Sequence, residues 1–331
     1  MLRRTAREGA SALVMTVLSA ALSANLLSVP QAAAEDILKI AIGQINNWEN
    51  QPPTLGQEAG IFRKYGLTLE AVGTAGAGET IQAVISGGAD IGAGVGVAGA
   101  MRAFAKGAPL RIIAPAFTGT GDLYWYVKAD SPLKTLSDAS DSNTIAYSTS
   151  GSSSHNIVTA FVDELHCKAK PTATGSPPGT LTQVMSGQID IGWAAPPFGL
   201  KEARDGKIRI IARGSDVPSL HGQTVRVLVA NANALKERPD AVVRFMRGYR
   251  ETVDWMYANR AAIEIYAAKI GVDEGLIEES VRQFHPKEAL QSDEMAHLED
   301  AMRDAVKLRY LDQQLTKDQL AELIQIPPRT K

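Results

Sequence analysis

Three consecutive serines, Ser152-Ser153-Ser154, stand ahead of an apolar stripe at helical spacing: Ile157, Val158, Phe161, Val162 and Leu165. One serine serves as a helix cap, and three exceed what one cap needs. Small residues ahead of a helix leave its first backbone N–H groups open, and the helix dipole adds partial positive charge there. With the hydroxyls of this run and of Ser150 as adaptable donors, such a start suits an anionic group on a small ligand. His155 is either a ligand contact or an ordinary helix-start residue. Other Gly-, Ser- and Pro-rich stretches follow short apolar runs: Gly43-Gln44-Ile45-Asn46-Asn47-Trp48, Gly73 to Gly78, Gly94-Val95-Gly96, and Trp193-Ala194-Ala195-Pro196-Pro197. They add Gln44, Asn47, Trp48, Gly76, Gly78, Gly94, Trp193 and Pro196 as candidate ligand contacts. Arg226 lies in the apolar run Thr224-Val225-Arg226-Val227-Leu228-Val229. It either clamps a carboxylate or sulfonate or sits on a solvent-exposed edge.

Motifs for bond-making chemistry are missing. Ser152 to Ser154 lack the flanking glycines of a nucleophile elbow, and the five histidines show no His-Glu-x-x-His spacing for zinc. His221 has no obvious paired nucleophile. The glycines at 73–78 do not fit the Gly-x-Gly-x-x-Gly dinucleotide spacing, and no Gly-Lys-Ser/Thr phosphate loop occurs. Neither cofactor nor metal is implied. The single cysteine, Cys167, allows no internal disulfide and reads as an inert buried thiol.

The elements that position these loops come from an internal repeat. Thr80-Ile81-Gln82-Ala83-Val84-Ile85-Ser86-Gly87-Gly88-Ala89-Asp90-Ile91-Gly92 recurs 100 residues later as Thr180-Leu181-Thr182-Gln183-Val184-Met185-Ser186-Gly187-Gln188-Ile189-Asp190-Ile191-Gly192. Leu110-Arg111-Ile112-Ile113-Ala114 is echoed by Ile208-Arg209-Ile210-Ile211-Ala212. Each half alternates strands and helices. Strands are predicted at 38–43, 67–72, 89–94 and 110–115, then at 143–148, 171–174, 189–193 and 207–212. Helices are predicted at 53–64, 79–87 and 96–106, then at 153–166, 179–187 and 196–205, with residues 239–320 mostly helical. The alternation implies an α/β fold of two lobes, parallel-rich sheets with helices on both faces. Ligands of open parallel sheets bind beyond the carboxyl ends of the strands, here in a cleft between the lobes. The first lobe is expected at 35–125 and 226–331, the second at 126–225, with crossovers near Tyr124-Lys128 and His221-Val227.

The 331 residues carry 34 basic and 36 acidic side chains, a formal net charge of -2, with 45% hydrophobic residues. That balance excludes a general nucleic-acid binder and a disordered chain. Arg3, Arg4 and Arg7, an apolar stretch, and Ala32-Ala33-Ala34 have the three-part layout of a secretory signal peptide over residues 1–34. Export to the periplasm follows as an expectation.

These residues resemble a known family. Gly87-Gly88-Ala89-Asp90-Ile91-Gly92 after a short helix, Gly151-Ser152-Ser153-Ser154-His155-Asn156 opening the second lobe, and Gln44 after the first strand are similar to solute-binding proteins of ABC importers. The closest group is the aliphatic-sulfonate, taurine and nitrate type, which includes thiamine-precursor binders, and the resemblance covers about residues 37–260. It implies a type II periplasmic-binding-protein fold, hinge closure on a small organic anion, a permease in the inner membrane as partner, a monomer, and no catalysis. Where sulfonate binders carry an acidic residue after the tryptophan, this chain has Trp193-Ala194-Ala195-Pro196-Pro197. A neutral or aromatic heterocycle, such as a pyrimidine precursor, therefore stays open as the ligand. So does an enzyme on the same scaffold, although the cysteine-rich motif of the pyrimidine synthases is missing.

Overall fold

The computed structural model describes residues 36–329; the predicted signal peptide at 1–34 lies outside the described residues. No helix among the described residues is long and apolar enough to cross a membrane.

The first half runs β1 (Asp36–Gly43), α1 (Pro52–Glu58), α2 (Ile61–Lys64), β2 (Leu67–Thr74), α3 (Ala77–Ile85), β3 (Ile91–Gly96), α4 (Val97–Ala105) and β4 (Leu110–Thr118). The second runs β5 (Tyr124–Lys128), β6 (Thr144–Tyr147), α5 (Ser153–Glu164), β7 (Lys170–Ala173), α6 (Pro177–Met185), β8 (Gly192–Ala194), α7 (Leu200–Arg204) and β9 (Ile208–Arg213). Then come β10 (Thr224–Asn231), α8 (Ala232–Glu237), α9 (Pro239–Ala258), α10 (Arg260–Ile270), α11 (Glu274–Phe284), α12 (Leu298–Lys307) and α13 (Lys317–Leu323).

A five-stranded sheet has the order β2-β1-β3-β10-β4. β1 runs parallel to β2 and β3, and the returning strand β10 runs antiparallel to β3 and β4. Both faces are buried, so the strands read as near-continuous apolar runs. Strand parity divides them. Leu38, Ile40, Ile42 and Leu228 face α9 through Val242, Phe245, Met246 and Tyr249. Ala41, Val227 and Val229 face α3, α4, α12 and α13 through residues such as Ile81, Met101, Met302 and Leu323. The second core surrounds the antiparallel sheet β8-β5-β9 and the parallel pair β6-β7, joined by a bridge between Ile145 and Ile191.

The predicted elements recur with three differences. The helix expected at 53–64 breaks at Ala59-Gly60, where Gly60 takes φ 74°. The helix expected at 196–205 shortens to α7. Tyr124–Lys128 is the central strand of the second sheet. The chain therefore passes between the sheets over residues 119–123 and 214–223, and the boundaries read from sequence, 125/126 and 225/226, fall inside β5 and β10.

Candidate functional site

A small cavity lies between the two sheets. The turn after β1 contributes Gln44, Asn47, Glu49 and Asn50, the turn in β3 contributes Gly94, and the start of α3 contributes Ala77. From the other side come Ser148 and the α5 start, Ser152, Ser153 and Ser154, with Trp193 from β8. Leu123 from one crossover and Arg226 from β10 complete it. Of the residues singled out from sequence, Gln44, Asn47, Gly94, Ser152 to Ser154, Trp193 and Arg226 meet here.

The serines hold one another. Ser152 Oγ caps α5 by accepting from the His155 N–H at 3.1 Å. Ser154 Oγ accepts from the Ser148 N–H at 3.0 Å and bonds the hydroxyls of Ser148 and Ser152 at 3.1 and 2.9 Å. Ser153 Oγ accepts from Arg226 Nη1 at 2.8 Å. The run therefore rigidifies the helix start, while the Ser153 hydroxyl, which only accepts, keeps its proton free to donate. A helix leaves its first N–H groups without intrahelical acceptors; those of Ser153 and Ser154 are further donors at this wall.

Arg226 corrects both readings made of it. It is neither an exposed edge residue nor an uncommitted clamp. The side chain is 5% exposed, its Nη2 is bonded to the fully buried Asp122, and its guanidinium lies 4.5 Å over the Phe117 ring. Its charge is already matched by a carboxylate.

Two more titratable groups that sequence reading missed, Glu49 and His285, surround this pair, whose Asp122 it also missed. Glu49 and His285 are buried, with His285 Nδ1 3.9 Å from Glu49 Oε2. Glu49, Asp122 and His285 offer atoms within 4.8 Å of one another, a spacing open to a cation. Burial, reinforced by the charge of Glu49 and opposed by Arg226, pushes the Asp122 carboxyl up to about 7. Burial also lowers the pKa of His285 and keeps its ring neutral, against the pull of Glu49. Five buried polar atoms in and around the cavity have no partner: Glu49 Oε2, Asp122 Oδ1, His285 Nδ1, Trp193 Nε1 and Arg226 Nε. Such atoms are costly unless something supplies the missing bonds. Glu49 follows the first strand by six residues, as Gln44 follows it by one; that placement was the available signal. Asp122 and His285 carry none, because their neighbourhood exists only in the folded chain.

The remaining candidates lie elsewhere. Trp48 is a correction: its indole is fully buried against Tyr257 and Tyr266, with Nε1 donating to Tyr257 Oη at 3.2 Å. The loop around it is polar, but helices α9 and α10 fold over that loop and enclose it. His155 is turned from the cavity. Its ring stacks on Tyr147 at 4.2 Å and Nδ1 bonds Tyr310 Oη. Pro196 accepts from His285 Nε2 at 3.2 Å through its carbonyl. Gly76 caps α3, and Gly78 and Ser150 line an outer groove. The Gly78 N–H donates to Thr149 Oγ1 at 3.2 Å across the seam between the sheets.

The seam is tight. A Cβ on Gly96 would come within 2.2 Å of the Gly151 carbonyl oxygen, and one on Gly99 within 2.8 Å. Gly151 itself sits at φ 85°, in the left-handed region that favours glycine.

The NMT1/THI5-like family model matches residues 49–263. No curated protein matches the chain at the significance required. Among solved structures, the alkanesulfonate-binding protein SsuA from Xanthomonas axonopodis pv. citri, bound to MOPS, superposes with a TM-score of 0.73 at 19% identity. The match covers 89% of this chain and all of that one, 100%. The periplasmic aliphatic sulphonate binding protein SsuA from Escherichia coli gives a TM-score of 0.68 at 17% identity, covering 89% and 94% of the two chains. The periplasmic nitrate-binding protein NrtA from Synechocystis PCC 6803 gives 0.66 at 14%, covering 87% and 84%. The fold is that of periplasmic solute-binding proteins.

Proposed function

The chain belongs to the NMT1/THI5-like family, and from that premise we propose that it is the substrate-binding component of an ABC importer. It takes a small organic anion, a sulfonate or a carboxylate, into the cavity between its two sheets. The observation that carries this reading is the start of α5. There the first turn, tied together by the Ser148–Ser152–Ser154 network, lines the cavity. Backbone donors at a helix start stabilise negative charge without needing a cationic side chain, which fits an Arg226 already paired with Asp122.

The two crossovers at 119–123 and 214–223 are the natural hinge for opening and closing. The protein would act as a periplasmic monomer and deliver its ligand to an inner-membrane permease. No side chain at the cavity pairs a nucleophile with a base among the described residues. His285, a buried imidazole near it, has its Nε2 on a backbone carbonyl, which supports binding without chemistry. The Trp193 indole N–H and the apolar Leu123 favour an organic ligand over a bare inorganic anion.

The test is thermal denaturation of the refolded, ligand-stripped protein with alkanesulfonates, short carboxylates, nitrate and neutral pyrimidines. A ligand at about 100 times its Kd adds about 2.7 kcal/mol, a readily visible shift. Stabilisation by organic anions supports the proposal. Stabilisation by neutral pyrimidines alone overturns the anionic part and leaves the binding role.

A further inference from the structure

Tyr310 is rooted in one core, and its hydroxyl ends on the other. The residue is buried beside Met302, Ala305 and Leu311, on the five-stranded sheet. Its Oη accepts from the Gly151 N–H at 2.9 Å and bonds His155 Nδ1. The Gly151 N–H also reaches His155 Nδ1, at 3.4 Å. A backbone N–H only donates, so that nitrogen presents a lone pair, and the Tyr310 O–H is the donor to it. Burial lowers the His155 pKa, which keeps the lone pair available. Both partners belong to the start of α5. Gly151 precedes the capping Ser152, and His155 lies in the first turn with its ring against Tyr147. One hydroxyl therefore ties the serine wall of the cavity to the core of the other sheet.

The backbone is bent to deliver that hydroxyl. α12 ends at Lys307, and Arg309 follows at φ 59°, at the position where glycine is usual. The Arg309 side chain is exposed, so its own packing does not account for a left-handed backbone that costs free energy. The turn lets the Tyr310 N–H donate to the Ala305 carbonyl at 2.8 Å and aims the phenol at Gly151. The Arg102 guanidinium, 5.9 Å over the ring, holds it from α4. Gly99 of the same helix allows the close approach, since a Cβ there would stand 2.8 Å from the Gly151 carbonyl oxygen.

Resting on the proposed closure around a small anion, we infer that Tyr310 is a positioning residue for binding. It latches the α5 start to the five-stranded sheet, and a bound ligand leaves only after the latch opens. The latch lies outside the cavity, so it sets how long the ligand stays and not how fast the ligand enters the open form. Lys307 Nζ and Asp163 Oδ2, 3.3 Å apart, cross the same seam at the surface, where an ion pair contributes little.

The experiment is stopped-flow binding of ethanesulfonate and of propionate, read by tryptophan fluorescence. Tyr310→Phe removes only the hydroxyl. It is expected to speed dissociation about tenfold, with association changed less than about twofold and the free protein's Tm nearly constant. His155→Phe keeps the ring and removes the acceptor, so the test survives if Tyr310→Phe folds poorly. It is expected to act in the same direction with a smaller effect. The double variant should be no worse than Tyr310→Phe alone, because both changes break one latch. Lys307→Ala should behave as wild type. Equal dissociation rates in wild type and Tyr310→Phe overturn the inference and leave the anion reading standing. So does a loss confined to slower association, the mark of a general structural fault. If wild type binds neither probe, the anion reading falls, and exchange of the Gly151 amide in the free protein decides the latch. Exchange about tenfold faster in Tyr310→Phe supports it, and equal exchange overturns it.

Discussion

The two copies of the internal repeat share a skeleton down to single hydrogen bonds. In the first, Thr80 Oγ1 donates to the Gly76 carbonyl at 3.2 Å and meets Thr74 Oγ1 at 2.7 Å. In the second, Thr180 Oγ1 donates to the Ser176 carbonyl at 3.0 Å and meets Thr174 Oγ1 at 2.6 Å. Asp90 Oδ2 accepts from the Lys39 N–H at 2.8 Å, and Asp190 Oδ2 from the Thr144 N–H at 2.8 Å. Gly87 and Gly187 end their helices at φ 75° and 78°. The copies part where the strands end. The first gives Gly94-Val95-Gly96, backbone that lets the Gly151 loop approach closely. The second gives Trp193 and the Pro196 carbonyl that fixes His285. The first copy also binds β10 and the helices after it, including an Arg238 bond to Asp90 that has no counterpart at Asp190 among the described residues. The skeleton is thus common property, and the cavity is made by the unlike segments at its ends.

That contrast can be broken at its unlike segments first. Asp122→Asn strands the Arg226 charge in a buried place. It should cost about 3–5 kcal/mol in denaturant unfolding; a loss under about 1 kcal/mol would mean that the pair contributes nothing. Gly96→Ala sets a methyl against the Gly151 carbonyl oxygen. It should weaken ligand binding about 100-fold, near 2.7 kcal/mol, with little change in the free protein's Tm. Gly121→Ala, where a Cβ meets nothing within 4 Å, should bind normally. Equal effects would detach the seam from closure.

The shared skeleton gives a finer test. Thr80→Val and Thr180→Val each remove one hydroxyl pair and should each cost about 1 kcal/mol of stability. Only Thr80→Val, at the helix whose start lines the cavity, should also raise Kd. If both raise it alike, the copies contribute equally to the site.

The smallest effect is a pH dependence. The pKa of His285 is depressed in the folded state below the 6.5 of the free imidazole. The unfolded chain therefore takes up a proton that the folded chain refuses. Stability from this group is present above pH 6.5 and lost as pH falls. Asp122 acts in the opposite sense: raised from 3.8 to about 7, it loses its contribution as pH rises through that window. The difference in Tm between wild type and His285→Gln should therefore shift in favour of the variant as pH falls below 6.5. A constant difference would show that the histidine is not held neutral.

Much of this was legible in the chain. The 3.6 and 2.0 periodicities placed most strands and helices, because burial of one face imposes its period on the sequence. The Ser152 cap and the strand ends at Gln44, Gly94 and Trp193 were readable from local rules. Trp48 was not, since α9 and α10, about 200 residues later, decide whether a polar loop is covered. β5 was not, because Tyr124 to Lys128 becomes central only when β8 and β9 pair on either side.

The sequence by itself determined the α/β repeat, the helix starts and their caps, and the family. These depend on residues close in the chain, where backbone geometry and local hydrogen bonds act. Tertiary structure alone decided that Arg226 is neutralised by Asp122, that His155 faces Tyr310, and that Glu49 is left with an unpaired oxygen at the cavity. Charge pairing and desolvation depend on distances in space between residues 73 to 236 positions apart in the chain.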